Sequence, residues 1–187
     1  MSSNELTGAM LNDVNVPNSI DDGDVLIGVG SNGGWTTLHA QAPLAQVKAG
    51  TDVKIGYAAS YTNPGLFTTS VGGFAGSSDQ KNNATAIGFR AGQTSQGLSA
   101  TSVGHEAGQN SQSNYAIALG HQSGQTSQGE ATFAAGYQAG FITQSDYAIA
   151  VGFESGKTDQ GESSVAIGDS AATVDQGEKS IAVGRLA

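Results

Sequence analysis

Large apolar and small residues alternate in short stretches of the chain. Ser164-Val165-Ala166-Ile167-Gly168 is one such stretch and Tyr147-Ala148-Ile149-Ala150-Val151-Gly152 another. A period of two marks a β-strand with one buried face. Ile117 and Leu119, Ile149 and Val151, Val165 and Ile167, and Ile181 and Val183 hold the large positions, with Ala118, Ala150, Ala166 and Ala182 between them. Small residues on the opposite face predict that another backbone approaches there, which makes the Ala row a site for lateral neighbours. No stripe of period 3.6 appears, so no helix is expected.

The strands recur with a fixed step. Gly72, Gly88, Gly104, Gly120, Gly136, Gly152, Gly168 and Gly184 are each 16 residues apart. Gly76, Gly92, Gly108, Gly124, Gly140 and Gly156, then Ala172, follow with the same step, as do Gln80, Gln96, Gln112, Gln128, Gln144, Gln160 and Gln176. A weaker copy begins at Ile55-Gly56-Tyr57, with Pro64-Gly65 where Gln-Gly would fall. Sixteen residues are too few for a strand and a full helix. They suffice for two short strands and two tight turns, with Gly supplying positive φ at the corners. The expectation is an all-β fold, a parallel β-roll or β-solenoid of 16-residue coils over residues 55–187, preceded by a small β region at 1–54. Coils stacked about 4.8 Å apart make a rod of roughly 35–40 Å. Each coil has a thin interior, so the roll needs neighbours and caps.

Composition narrows the function. The chain has 187 residues, 28 of them Gly, only 3 Pro, no Cys, 12% charged residues and a formal charge of −9. Gly without a three-residue period or abundant Pro excludes collagen. The 37% hydrophobic content argues against disorder. Without Cys there are no disulfides and no Cys-ligated metal. The acidic balance, with a pI near 4.4, excludes a nucleic-acid partner of the usual basic kind. No apolar run is long enough to span a membrane, so no membrane partner is expected. Met1–Met10 has neither the basic nor the apolar region of a secretory signal, which points to synthesis in a cytoplasm without secretion.

Ser164-Val165-Ala166-Ile167-Gly168 and its copies resemble the head repeats of trimeric autotransporter adhesins. That resemblance covers about residues 55–187. It implies a left-handed parallel β-roll with three chains side by side, hence a homotrimer whose partner is itself. The family's repeat is usually slightly shorter, and its signal peptide, stalk and membrane anchor are not matched here.

Residues 1–54 follow another grammar. Leu11, Asp13 and Val14 are followed by Asp22-Gly23, Val25 and Leu26, then Asn32-Gly33 and Trp35. Asp-Gly and Asn-Gly signal turns before short strands, so a β-hairpin that caps the roll is expected. The order Leu-x-Asp-Val, Asp-Gly-x-Val-Leu, Gly-x-Trp also resembles a short module of tailed-bacteriophage structural proteins, both fibres and surface decorations. This implies attachment to a phage capsid or tail protein through residues 1–54, and location in a virion assembled in the host cytoplasm.

Candidate chemistry is sparse. Phe89, His105, His121, Tyr137 and Phe153 share one column with Tyr57 and form a surface or interface ladder, with host-surface glycans as a second possible partner. Two His without a third ligand do not make a metal site. The Gln column reads as a hydrogen-bonded ladder. Glu130, Asp146, Glu162 and Glu178, in one column with Asn82, Leu98 and Asn114, read as a solvated acidic face rather than a Ca²⁺ site. No triad, phosphate loop or carboxylate pair departs from the repeat, so neither an enzyme nor a cofactor is expected. Gly97, Gly129 and Gly161 follow Gln in alternate coils, whereas Ser113 and Ser145 do so in the intervening coils, which also carry Tyr115 and Tyr147. This defines a super-period of 32 residues. The expected function is a trimeric virion protein, most simply a capsid decoration, cement or head-fibre protein. The alternative is a tail fibre or adhesin that binds glycans.

Overall fold

The computed structural model describes residues 52–187 in full, and before them the strand backbones Leu26–Gly28, Trp35–Thr37 and Ala45–Lys48. The chain divides into two compact units, residues 1–43 and 44–187. In the first, Leu26–Gly28 pairs antiparallel with Trp35–Thr37, Leu26 opposite Thr37 and Gly28 opposite Trp35. Leu11, Asp13, Val14, Asp22, Gly23 and Val25 lie outside the described residues.

The second unit is a β-solenoid of about eight coils. From Thr85 onward each coil contributes one three-residue strand to each of two parallel sheets, and before it the second side is held by the isolated bridges Thr62–Ser78 and Ser78–Thr94. The first sheet stacks Asp52–Ile55, Thr69–Val71, Thr85–Ile87 and Thr101–Val103, then Ile117–Leu119, Phe133–Ala135, Ile149–Val151, Val165–Ile167 and Ile181–Val183. The second stacks Thr94–Gln96, Asn110–Gln112, Thr126–Gln128, Ile142–Gln144, Thr158–Gln160 and Val174–Gln176. Equivalent residues pair at a shift of 16, as in Ile117 with Phe133 and Gln112 with Gln128. Ala45–Lys48 joins the first sheet antiparallel, beside Asp52–Ile55.

Most backbone hydrogen bonds run between coils, with longer local turn bonds such as Ala75 N–H to Gly72 O at 3.3 Å within them. Gly104 N–H donates to Ile87 O at 2.8 Å, and Thr101 N–H to Ala116 O at 2.9 Å. This close stacking dictates the first Gly row. At Gly104 φ is +135°, and an added Cβ would collide with the Gly120 carbonyl in the next coil. The second row has a different reason. At Gly92 φ is +50°, and a Cβ would lie 2.6 Å from the Gln96 amide oxygen. Positive φ is not confined to glycine. Glu106, Ser111 and Tyr115 have φ of 55°, 56° and 60°, and their equivalents in other coils repeat this. Each such residue costs roughly 1–2 kcal/mol, and the inter-coil hydrogen bonds on both sides hold it in place.

The interior reverses the expected orientation of the strands. Ala118, Ala150 and Ala166 are completely buried, whereas Ile149 is 36% and Ile167 40% exposed. The Ala row therefore faces into the coil, and the large aliphatic row faces out. Two strands joined by alternating six- and four-residue turns leave room only for Ala or Ser on the inner face of the first sheet. Ala75, Ala91, Ala107, Ser123, Ala139, Ser155 and Ala171 fill the turn side of the same thin core.

Gln provides the bulk of that core. The Gln residues from Gln80 to Gln160 are the largest fully buried side chains, and Gln176 at the last coil is 8% exposed. Their amides form a chain along the axis. Nε2 of Gln80, Gln112, Gln128, Gln144 and Gln160 donates to Oε1 of the next Gln at 3.0–3.1 Å. Between Gln96 and Gln112 a hydroxyl takes the link. Gln96 Nε2 donates to Ser102 Oγ at 3.3 Å, and Ser102 Oγ–H donates to Gln112 Oε1 at 2.7 Å. Each amide also donates to main-chain carbonyls, as Gln112 does to Thr101 O and Ala116 O at 3.1 Å. Burial of a primary amide is tolerated because its donors and acceptor all find partners.

The 32-residue super-period has a steric origin. Asn82, Asn114 and Asp146 each accept the backbone N–H of the equivalent residue one coil earlier: Leu66, Leu98 and Glu130, at 2.9, 2.9 and 2.7 Å. The residue before each donor is Gly65, Gly97 or Gly129, where the coil with the Asn or Asp comes close. A Cβ on Gly129 would lie 2.6 Å from Asp146 Oδ1. The backbone of the next coil approaches just as closely, with Ser113 O 2.5 Å from a Cβ on Gly97 and Gln176 O 2.6 Å from one on Gly161, so Gly is required in alternate coils whether or not Asn or Asp follows.

Candidate functional site

The surface of the first sheet is the feature with the most chemistry to explain. Its outward columns contain Ile117 and Leu119, Phe133 and Ala135, Ile149 and Val151, then His121, Tyr137 and Phe153 just past each row glycine. From Val53 to Ile167 these columns contain no Asp, Glu, Lys or Arg, and charge first enters at Asp169 and Arg185. The face is about 30 Å long and roughly 15–20 Å wide at ordinary strand spacings. Thr69, Thr85, Thr101, His105 and His121 stand among its apolar residues, and its size is at the upper end of what a single chain exposes, where such a patch is often functional.

The candidate aromatic column is a continuous stack. Ring centroids are 5.5 Å apart for Phe89 and His105, 4.9 Å for His105 and His121, 5.2 Å for His121 and Tyr137, and 5.1 Å for Tyr137 and Phe153. The last three pairs are within 14° of parallel. Gly73 leaves a gap in this column, which Phe74 fills from the neighbouring position. Phe74 meets Tyr57 at 5.3 Å and Phe89 at 6.2 Å, both edge to face. Nothing in the repeat singled out Phe74, because it stands one residue out of register. Each inner ring is covered above and below by the next, so ring edges rather than faces meet solvent. Stacking on a pyranose needs an open face, which only the ends of this column offer.

Glu106 closes the flank of the stack. Its carboxylate accepts from Gln122 Nε2 at 2.9 Å and Gln125 Nε2 at 3.0 Å. Arg90 Nη1 lies 3.5 Å away and His105 Nδ1 3.9 Å away. The Gln122 amide, His105 and Arg90 together hold the carboxyl below the ordinary glutamate range, against a smaller opposing effect of burial. The Arg90 guanidinium also sits 5.0 Å over the Phe89 ring. Nothing in the repeat signals this cluster, since its members lie in three columns and three coils.

The other candidate positions are structural. The eight row glycines from Gly72 to Gly184 all have φ between 126° and 135°, next to the first-sheet strands. In the acidic column Asp146 is engaged with Glu130 N–H, while Glu162 and Glu178 line a shallow hollow of about 320 Å³ with Ser145, Asp146 and Gly161. Among the described residues no group of three or more His, Asp or Glu is placed to hold a metal ion. Trp35 lies in a strand whose backbone alone is described. Protein-family models, curated proteins and solved structures provide no match to the chain.

Proposed function

We propose that the protein is a non-enzymatic structural component that associates side by side through the outer face of its first sheet into a homotrimeric rod. In this reading the rod belongs to a tailed-phage virion, as a capsid decoration, cement or head-fibre protein attached through residues 1–54. The observation that carries it is the uncharged apolar face along the roll, exposed in a single chain and matched to a partner of the same length and repeat. Burying that face removes apolar surface from water, the main favourable term in association. The neighbour-seeking surface is the Ile, Leu, Val and aromatic face, not the Ala row, which is spent inside the coil. The virion assignment draws on the order of the Leu11, Asp22 and Trp35 segments. A glycan-binding adhesin is less well supported, because the stacked rings cover one another's faces.

Electron cryomicroscopy of purified particles that carry the protein tests this reading. Threefold knobs or rods on the capsid are expected. Detection only in tail fractions would rule out decoration, and absence from particles would rule out the virion assignment.

A further inference from the structure

We propose that Tyr115 and Tyr147 form a saccharide-binding slot. One neutral pyranose ring lies between the two tyrosine rings, over Ala131, and its hydroxyl groups are taken by Asn114, Glu130 and Asp146. The slot is separate from the stacked column of Phe89 to Phe153, and it does not depend on lateral association.

The two tyrosines are the part of the 32-residue super-period that coil stacking does not explain. Tyr115 is 50% and Tyr147 54% exposed, so no core requires them. Both have φ of 60°, a left-handed corner that suits Asn83 in the same column and is unfavourable for a bulky ring. Ser99, Ala131 and Ser163 hold the alternate corners, with φ of 54°, 51° and 55°. The backbone is fixed alike at each, for Tyr115, Ala131 and Tyr147 N–H donate to Leu98, Asn114 and Glu130 O at 2.9, 2.9 and 2.8 Å. A large aromatic residue held at a strained corner without gaining burial points to use at the surface.

Spacing selects the ligand. Two coils of about 4.8 Å set the tyrosines roughly 9.6 Å apart, with only the methyl group of exposed Ala131 in the column between them. Among the described residues neither tyrosine stacks on another ring, whereas the rings from Phe89 to Phe153 cover one another at 4.9–5.5 Å. A pyranose with its C–H groups against a ring on each side needs about 8 Å, at contact distances near 4 Å. A slight inward lean of both rings supplies the difference; a flat aromatic ligand, needing about 7 Å, fits less well. Asn114, Glu130 and Asp146 directly precede Tyr115, Ala131 and Tyr147, and all three are exposed. Asn114 Oδ1 accepts Leu98 N–H at 2.9 Å, which leaves Nδ2 to donate. Asp146 Oδ1 accepts Glu130 N–H at 2.7 Å, which leaves Oδ2 and the Glu130 carboxylate to accept from sugar hydroxyls. The two carboxylates repel phosphorylated and acidic sugars, so the class that fits is a neutral hexopyranose.

Calorimetric titration of the full chain with maltohexaose, cellohexaose and chitohexaose tests the slot. At least one of the three is expected to bind in the millimolar range. Tyr115→Ala and Tyr147→Ala should each weaken that binding by about tenfold. Ala131→Tyr, which places a third ring in the slot, should abolish it. Phe153→Ala, in the stacked column, should leave it unchanged, and far-UV circular dichroism checks the fold of every variant. Absence of binding to all three hexasaccharides would overturn the proposal. So would wild-type affinity in folded Tyr115→Ala and Tyr147→Ala, or a loss of binding in Phe153→Ala alone. A wild-type chain that binds as a monomer would count against lateral association and leave the slot standing.

Discussion

Replacing Gln128 by Ala tests the internal ladder at its middle. Gln128 Oε1 accepts from Gln112 at 3.0 Å; its Nε2 donates to Gln144 Oε1 at 3.1 Å and to Ile117 O at 3.3 Å. Truncation removes all three bonds: the one to Ile117 O has a net value of about 1 kcal/mol, and the one from Gln112 costs little to lose. Gln112 keeps its two carbonyl partners, but Gln144 Oε1 loses its donor from the preceding coil in a dry interior. An orphaned buried acceptor costs about 1–3 kcal/mol, and the void left by the shortened side chain adds about 1 kcal/mol. The expected loss is about 3–5 kcal/mol, a large part of a typical domain's stability. In urea, with a slope of about 2 kcal/mol/M, the midpoint falls by roughly 2 M at fixed protein concentration. Gln128→Leu restores volume without the amide and should recover only the void's share. Gln176→Ala, at the end of the ladder, should cost less than half as much. A loss below about 1 kcal/mol in Gln128→Ala, or full recovery in Gln128→Leu, would refute the hydrogen-bond account of the core.

Gly104→Ala combines an unfavourable φ with a backbone collision, so it should destabilise by about 3 kcal/mol or more in thermal unfolding, beyond the roughly 1–3 kcal/mol of dihedral strain alone; a change below 1 kcal/mol would refute the stated reason for the row. Asp146→Ala leaves Glu130 N–H to water and should cost only about 0.5–1.5 kcal/mol, with faster amide exchange confined to Glu130 and its neighbours. For Glu106 the sign follows from its lowered pKa. Its stabilising effect is complete above the unfolded value near 4.5 and fades as pH falls through the lower folded value. Wild type should therefore lose stability in acid more steeply than Glu106→Gln, and parallel pH profiles would contradict the cluster.

The period of 16 was legible because two kinds of contact enforce it in every coil. The row glycines touch the backbone of the next coil, and the Gln amides touch one another. What each column faces was less legible. Ile149 and Val151 look like a core and Ala150 like an edge, since burial usually follows hydrophobicity. In a coil this thin the geometry admits only the small residue, and the aliphatic pair is left outside. Gln was readable as a ladder but not as the bulk of the interior, because Gln is ordinarily a surface residue. The super-period was visible in Gly97, Ser113 and Gly129, but its cause needed the close approach of the next coil's backbone to Gly129. Glu106 and Phe74 had no signal at all. Both act across coils from positions where the repeat varies freely.

The association of chains through the outer apolar face is the central claim, and the solution mass tests it most directly. Light scattering on the purified protein should give three times 18.7 kDa at micromolar concentration. A stable, well-folded species at 18.7 kDa would contradict it, since the uncharged face would then stand in water without a partner.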